Sequence, residues 1–441
     1  MRSLTFVLFI SSLLSSCAVF KSRETRSALK IRREVAHSPV FSKSFTGFTL
    51  LDPASGKTLA DFNGERYFTP GSNTKILTLA TCLAVLKDSV PGFIWYEYKN
   101  VIGIIPIGDP TFLHPKFQAW QTLYNELKTS NKQIFIDLWH KGESSPLGPG
   151  WSWDDADFNY SAERSFFPLY GNVKRVFANQ EGEINIEPAY WTKLLRVWDF
   201  MPDSITQSET NEVITNGKVD QHFEEWLPVR SSVNYIQELL ADTLHRPFMY
   251  GDSGDGERVV SVDPPYRYST PIDTVLRRMM HQSDNFIAEQ MMLVCAGLKF
   301  DRLEQEELIK WMLDSTLTNL PQRPRWVDGS GLSRYNLMTP QSIAQVLQKL
   351  WQEQPHKHLL SLFPAGGISG TIMDWYAGKA GKPYVFAKTG GMTGVQCLSG
   401  YVVCKSGKVL IFSFMHNNFI GSSRPWKTEM QRILEQIHER F

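Results

Sequence analysis

The chain has 441 residues, 42% hydrophobic and 21% charged, with a formal net charge of +1. This length and composition predict a globular protein with more than one core, and the near-neutral charge argues against nucleic acid or another polyanion as a partner. Because no segment approaches the roughly 20 consecutive apolar residues that span a bilayer, no transmembrane helix is expected.

The N-terminal 17 residues have the pattern of an export signal. A positive start, Met1-Arg2, precedes an apolar run over 4–14 and the sequence LSSC at 14–17, which is typical of a secretory signal peptide. LSSC also resembles a bacterial lipobox, in which Cys17 would carry the lipid; a plain signal peptide with a chance cysteine is the alternative. We therefore expect an exported, periplasmic protein, anchored to a bacterial membrane by lipidation of Cys17. The basic residues 18–38 are interpreted as a tether, with an amphipathic surface helix as the alternative.

The segments that follow predict an α+β fold in three parts. Apolar and polar residues alternate on both sides of a Pro/Ser/Gly turn, which predicts a β-hairpin over 45–63, and an apolar helix follows. We assign 39–90 to the first part of one domain. Residues 91–246 contain eight of the 13 tryptophans, turn residues and short strand-like runs, so they predict an inserted β-rich module. Residues 247–441 resume the domain with amphipathic helices, three strands and a final helix. The expected result is an antiparallel sheet flanked by helices, with the first and last strands side by side.

Four cysteines follow Cys17 in the chain, and an exported protein can form disulfides. One lies in the apolar helix, and two lie on a predicted strand at an odd separation, which places them on opposite faces. We predict that most of the four are buried free thiols; they are Cys82, Cys295, Cys397 and Cys404.

Ser72 and Lys75 in TPGSNTK begin the apolar helix. Helix capping explains the serine but not the lysine. A capping box has Glu or Gln three residues after the cap, and a cation in the first turn of a helix faces the positive end of the helix dipole. A serine hydroxyl becomes an effective nucleophile when a neighbouring base accepts its proton, and residues i and i+3 share a helix face. The spacing therefore fits a nucleophile and its base, although four such letters are common by chance.

Two further motifs occur downstream of Ser72 and Lys75, and the order of the three along the chain indicates a known type of active site. Ser283-Asp284-Asn285 interrupts an amphipathic helical run, where an N-cap is the structural alternative, and Lys388-Thr389-Gly390 ends an apolar strand, where a simple turn is the alternative. Ser-x-x-Lys, then Ser-Asp-Asn, then Lys-Thr-Gly is the set found in penicillin-binding proteins and serine β-lactamases.

With these motifs, the chain resembles the class C low-molecular-mass penicillin-binding proteins, which are D-alanyl-D-alanine carboxypeptidases and endopeptidases with a transpeptidase-like fold. The resemblance covers nearly all of the chain after the signal, and four further segments support it: GDPTF at 108–112, LGPGWSWDD at 147–155, DGSGLSRYNLMTP at 328–340 and GISGTI at 367–372.

The resemblance implies acyl transfer on peptidoglycan stem peptides, without cofactor or metal and with β-lactams as covalent inhibitors. Ser72 would attack the penultimate D-alanine carbonyl, with Lys75 as the base and Ser283 relaying the proton to the leaving amine. Substrate would be held by the remaining motif residues, namely Asn285 at the peptide amide, Lys388 and Thr389 at the terminal carboxylate, and the backbone N–H of Gly391 beside that of Ser72 at the oxyanion.

Two positions leave the assignment open. The family often carries Thr or Ser after Lys-Thr-Gly, and Gly391 lacks that hydroxyl, which Thr393 would have to replace. Arg334 is expected either to face the substrate side chain or to pair with a nearby carboxylate.

Two other functions compete with this one. A serine β-lactamase would need a deacylating glutamate, which we do not find before Ser283. The other alternative is a non-catalytic cell-wall-binding lipoprotein.

Overall fold

The fold is described from a computed structural model, over residues 23–137, 145–198, 200, 205–220, 222–251 and 266–441. The α-helices of these residues are α1 Arg23–Ala36, α2 Lys75–Val85, α3 Thr122–Thr129, α4 Val233–Leu244, α5 Ile272–His281, α6 Asn285–Phe300, α7 Gln305–Trp311, α8 Pro340–Glu353, α9 His356–Leu362 and α10 Arg424–Arg440. The strands are β1 Phe45–Leu51, β2 Thr58–Phe62, β3 Ser89–Tyr98, β4 Val101–Pro106, β5 Gln133–Asp137, β6 Val173–Ala178, β7 Ile184–Glu187, β8 Leu195–Val197, β9 Ile205–Gln207, β10 Val213–Thr215, β11 Glu224–Pro228, β12 Met249–Gly251, β13 Tyr266–Pro271, β14 Val385–Met392, β15 Val395–Val403 and β16 Val409–Asn417.

The main sheet has five antiparallel strands in the order β14-β15-β16-β1-β2. Strand β1 pairs with β16, so the predicted neighbourhood of the first and last strands is confirmed, as are the early hairpin and the three C-terminal strands. The α+β sheet-and-helix fold expected from the sequence is therefore present.

The two faces of this sheet bury different helices. Alternate residues of β16 point to opposite faces: Ile411 and Met415 pack with α2, α6 and α8, whereas Phe412 and Phe414 pack with α1 and α10. The catalytic motifs of the sequence lie on the first side, where α2 and α6 cross and β14 passes the start of α2.

The inserted part of the chain forms three further sheets. A mixed sheet has the order β12-β5-β4-β3-β13, and two three-stranded sheets combine β8-β10-β9 and β11-β6-β7. Strands β12 and β13, which follow residue 246 in the chain, belong to the first of these sheets. Helices α3 and α4 pack on the same core.

Residues 23–36 of the predicted tether form the amphipathic helix that the sequence analysis gave as the alternative. These residues form α1, whose Ala28, Ile31 and Val35 are buried; Ile31 and Val35 belong to the core formed by the main sheet and α10. The three apolar residues recur at helical spacing, so burial of one stripe holds down a helix whose outer face is basic. The rest of the tether, residues 18–22, and the signal at 1–17 lie outside the described residues.

The four cysteines Cys82, Cys295, Cys397 and Cys404 are free and buried, as predicted. Among the described residues, none of the helices has the length and apolarity required to cross a membrane.

Candidate active site

Ser72 lies in a 3₁₀ turn, Gly71–Thr74, that leads directly into α2. Strand β14 packs tightly over this turn: a Cβ on Gly390 would approach the Pro70 carbonyl oxygen to 2.2 Å. Gly71 adopts a φ of +52°, which glycine tolerates at little cost. Neither the turn nor α2 has a side-chain N-cap, so capping does not explain Ser72, which is half-buried at the surface of the cleft.

Lys75 is fully buried one turn after Ser72. Its Nζ donates to Ser72 Oγ at 3.1 Å, to Asn285 Oδ1 at 2.6 Å and to the Ser330 carbonyl at 2.6 Å. Burial lowers the pKa of Lys75 to about 8, against the opposing effect of nearby carboxylates, of which Asp328 is the strongest. A lysine in this environment is neutral in a substantial fraction of molecules at mildly alkaline pH, as a general base requires.

Ser283 and Asn285 project from the tight link between α5 and α6. Asp284 caps α6 by accepting from the Ile287 N–H at 3.1 Å, and the Arg278 guanidinium holds the same carboxylate at 3.0 Å. Ser283 adopts a left-handed φ of +56°, which is strained for a residue other than glycine. The N-cap that the sequence analysis gave as the structural alternative is therefore present at Asp284, while Ser283 and Asn285 face the cleft.

Lys388 connects the third motif to the second. Its buried Nζ donates to Ser283 Oγ at 2.8 Å and to the Thr389 carbonyl at 2.9 Å. Burial lowers the pKa of Lys388 well below its ordinary value, and the charge of Lys75 lowers it further. Lys75 thus binds Ser72 and Asn285, and Lys388 binds Ser283, so these five residues form a cluster of two hydrogen-bonded groups, with the two lysines close enough for their charges to interact.

The remaining predicted residues lie around this cluster. Thr389 shares a hydrogen bond with the Thr371 hydroxyl at 2.8 Å, and Gly391 is exposed at the end of β14. Arg334 is exposed; its backbone N–H donates to the Gly150 carbonyl at 3.3 Å, and no carboxylate of the described residues pairs with its guanidinium. Cys17 lies outside the described residues.

Sequence reasoning missed the residues that hold Lys75 in place. Asp328 accepts from the Trp151 indole at 3.0 Å and from the Gly331 and Ser333 N–H groups, which fixes the loop that carries the Ser330 carbonyl. Both segments, GPGW at 148–151 and DGSG at 328–331, belong to the stretches that support the family resemblance, but nothing in the sequence indicates that they meet.

Glu289 is a second missed residue. It is fully buried, accepts from the Ser330 N–H at 2.6 Å and pairs with the insert residue Arg164 at 3.4 Å. Its position four residues after Asn285 on α6 is a sequence signal that could have identified it, because residues i and i+4 share a helix face.

A cleft of about 300 Å³ opens beside Ser283 and Asn285, between the insert and the helices. The Asn285 amide nitrogen donates one hydrogen to the Tyr160 carbonyl at 2.9 Å, which leaves the second hydrogen for a ligand. Cationic and aromatic side chains line the cleft, among them Lys116, Arg278, Tyr160 and Trp226. Its volume and polar groups suit part of a peptide that contacts Ser283 and Asn285.

The comparisons identify the family. The model of the D-Ala-D-Ala carboxypeptidase 3 (S13) family matches residues 28–438. This chain belongs to that family. Within it, the D-alanyl-D-alanine carboxypeptidase DacB of Haemophilus influenzae is 23% identical over 439 residues, covering 89% of each chain. The D-alanyl-D-alanine carboxypeptidase of Actinomadura sp. strain R39 is 36% identical over 441 residues, covering 88% of this chain and 80% of that protein.

Solved structures agree with this assignment at the level of the fold. The crystal structure of penicillin-binding protein 4 from Haemophilus influenzae superposes with a TM-score of 0.71 at 19% identity, covering 93% of this chain and 99% of that one. The same protein complexed with a β-lactam gives a TM-score of 0.65 at 18% identity. The transpeptidase-like fold expected from the sequence motifs is therefore confirmed.

Proposed function

We propose that this S13-family protein hydrolyses the D-alanyl-D-alanine ends of peptidoglycan stem peptides through an acyl-enzyme on Ser72, and that β-lactams acylate the same hydroxyl. The observation that carries the proposal is the hydrogen bond between Lys75 Nζ and Ser72 Oγ, 3.1 Å, at a lysine whose pKa burial lowers to about 8. Membership of a carboxypeptidase family supports the choice of substrate.

In the acylation step, neutral Lys75 takes the proton of Ser72 as Oγ attacks the penultimate D-alanine carbonyl. The oxyanion is stabilised by the backbone N–H groups of Ser72 and Gly391, donors of a kind worth roughly 3–4 kcal/mol each. Ser283, hydrogen-bonded to Lys388 at 2.8 Å, relays the proton from Lys75 to the departing amine as the C–N bond breaks, so that Lys75 is neutral again. Water then hydrolyses the ester and regenerates the Ser72 hydroxyl.

Substrate recognition uses the polar groups around this cluster. The free hydrogen of the Asn285 amide meets a substrate carbonyl, while Lys388 and Thr389 bind the terminal carboxylate. The exposed Arg334 is available to contact the substrate side chain. Cleavage of the D-alanyl bond in cross-links, an endopeptidase reaction, follows the same steps with a second stem peptide as the leaving group.

The test is digestion of purified stem pentapeptides and cross-linked muropeptides, analysed by mass spectrometry. We expect free D-alanine and monomeric peptides from the wild type and neither from Ser72→Ala, with thermal unfolding showing that the variant is folded. Labelled penicillin should form a long-lived adduct on Ser72. Rapid conversion of penicillin to penicilloate would instead identify a β-lactamase, and absence of any product would identify a non-catalytic wall-binding protein.

We further propose that the mature protein is a periplasmic lipoprotein anchored through Cys17. LSSC at 14–17 supports the modification, and α1 begins six residues later with exposed cations, Arg26, Lys30 and Arg33, that suit an anionic bilayer surface. Cys17→Ser should move the protein from the membrane fraction to the soluble fraction. A wild-type N-terminus that carries no lipid by mass spectrometry would contradict the anchor.

A further inference from the structure

Helices α1 and α10 pack side by side on the face of the main sheet opposite to the catalytic motifs. Two adjoining grooves, of about 770 and 680 Å³, run along the outer surface of this pair. We call them together the helix-pair groove. Five cationic side chains line it, namely Arg26, Lys30, Arg33, Arg432 and Arg440.

Most of these cations have no anionic neighbour. Arg432 is paired, with Glu34 at 2.9 Å and with Glu429 at 2.8 Å. Within the part of the chain that the structure describes, no carboxylate forms an ion pair with the other four cations of the groove. Of the acidic residues in the lining, Glu439 is already paired with Lys405. Positive charge is therefore in excess, and the groove attracts an anion.

Two polar atoms in the wall of the groove point to the kind of anion. Arg440 Nε and Gln436 Oε1 are buried, and neither has a hydrogen-bond partner among the described residues. The two residues lie one turn apart on α10, and both line the groove. Burial of an unpaired polar group costs free energy, which a bound partner would recover. A ligand with an anionic oxygen and a neighbouring hydroxyl would supply an acceptor for the first atom and a donor for the second.

Leu29 gives the same surface an apolar contact. It is 45% exposed on α1 and lines the groove among the cations, whereas the neighbouring Ala28 and Ile31 are buried. An exposed apolar side chain flanked by Lys and Arg is typical of a helix that lies in the headgroup region of a membrane. This combination favours the surface of a lipid bilayer over a soluble anion.

The position of α1 in the chain agrees with a nearby bilayer. The helix begins at Arg23, six residues after Cys17, the proposed site of the lipid anchor. Six residues span at most about 20 Å. A lipid on Cys17 would therefore keep the helix-pair groove within reach of the membrane surface.

We propose that the helix-pair groove binds the phosphate headgroup of an anionic phospholipid, with Arg26, Lys30 and Arg440 as its cationic contacts. Guanidinium groups suit this role because their N–H donors match the geometry of phosphate oxygens. The inference extends the proposed anchor at Cys17 and does not depend on the chemistry at Ser72. Because the catalytic motifs lie on the other face of the main sheet, a chain bound in this way has its cleft on the side away from the bilayer.

The experiment uses the mature chain, residues 17–441, with Cys17→Ser, so that lipidation does not mask weaker binding. Vesicles of phosphatidylcholine alone are compared with vesicles that contain equal parts of phosphatidylglycerol, whose headgroup carries a phosphate and hydroxyls. Co-sedimentation at low salt should show at least about tenfold stronger binding to the anionic vesicles, and added salt should remove the difference. The same screening explains why Cys17→Ser is expected to leave the membrane fraction at physiological salt.

Removal of one cation from either helix tests the groove itself. Arg26→Gln on α1 and Arg440→Gln on α10 should each weaken binding to the anionic vesicles about fivefold, the effect of one cation near an anionic surface. The matched control is Arg302→Gln, which removes an exposed arginine from the link between α6 and α7 and should bind like the parent chain. Thermal unfolding and penicillin acylation should be unchanged in all three variants.

The outcomes separate the groove from its alternatives. Equal binding to the two kinds of vesicle would overturn the proposal. An Arg440→Gln variant that binds like the parent chain would also overturn it, because α1 alone would then account for the contact. If soluble glycerol phosphate raised the unfolding temperature as much as anionic vesicles do, the ligand would be a soluble phosphate and the membrane assignment would be wrong. A chain that binds anionic vesicles but cleaves no peptidoglycan would overturn the proposed function and leave the groove assignment standing.

Discussion

The protonation state of Lys75 governs the chemistry at the scale of single residues. An ordinary lysine with a pKa of about 10.4 is almost entirely charged at neutral pH, whereas one with a pKa of about 8 is neutral in roughly a tenth of molecules at pH 7. The Asn285 and Ser330 carbonyl oxygens can hold the amine in both protonation states, because the neutral amine keeps two N–H donors for them and turns its lone pair to the Ser72 hydroxyl. Burial thus converts a charge-bearing residue into a base matched to mild conditions.

The rate of Ser72 acylation by labelled penicillin should rise with pH and level off above an apparent pKa near 8. The physical reason is that only the neutral amine of Lys75, whose fraction grows through its lowered pKa, accepts the serine proton. Acylation rates measured from pH 6 to 10 test this. Lys75→Arg keeps the charge but cannot deprotonate, so it should slow acylation by about 10²–10⁴-fold. A flat profile, or an arginine variant near the wild-type rate, would refute a base role.

At the scale of elements, the cleft depends on close contact between the loop after Asp328 and the turn before α2. Gly331 has a φ of +86°, and a Cβ there would approach the Gly71 carbonyl oxygen to 2.0 Å. The contact places the Ser330 carbonyl against Lys75. Backbone packing, in addition to side-chain identity, therefore positions the base.

Gly331→Ala should destabilise the protein by clearly more than Gly407→Ala and should reduce penicillin acylation. Both glycines have nearly the same φ, +86° and +87°, so both variants incur the left-handed cost of about 1–2 kcal/mol. Only position 331 has atoms within 4 Å, so only that variant adds a backbone clash. Urea unfolding of the two variants measures the difference, and equal midpoints would show that the contact is unimportant.

Local sequence patterns predicted most of the fold and the three motifs, whereas the residues that were missed depend on contacts between distant segments. Strand alternation predicted the hairpin over 45–63, and the three motifs identified Ser72, Ser283 and Lys388. The pairing of Trp151 with Asp328, and of Arg164 with Glu289, joins distant segments and has no local signature. The helix at 23–36 was only the alternative to a tether, because its basic outer face obscured a three-residue apolar stripe that only tertiary burial makes decisive.

At the scale of the whole molecule, the insert and the catalytic domain meet in a buried ion pair. Arg164 from the insert is 5% exposed and Glu289 from α6 is 0% exposed. The same guanidinium also donates to the Ser145 and Leu147 carbonyls. Since Glu289 also accepts from the Ser330 N–H, the insert supports the loop that holds Lys75.

Arg164→Met should destabilise the protein by about 3–5 kcal/mol, because it leaves the Glu289 charge buried without its partner. Arg175→Met is the matched control: it removes the exposed pairs with Glu187 and Glu224 in the insert and should cost only about 0–1 kcal/mol. Denaturant midpoints of both variants test the comparison, and penicillin acylation should fall in the first alone. Similar midpoints would mean that the buried pair does not couple the two parts.

The pairing of β1 with β16 has a consequence for the folding of the protein during its synthesis. Thr46 and His416 share a hydrogen bond at 2.9 Å although 370 positions separate them, and the sheet that carries Lys388 is completed through this pairing. Contacts between such distant parts of a chain form slowly, and a chain emerging from its N-terminus has made β1 long before β16. The cleft around Ser72 can therefore form only after nearly the whole polypeptide has been made, so the enzyme cannot act before its synthesis is almost complete.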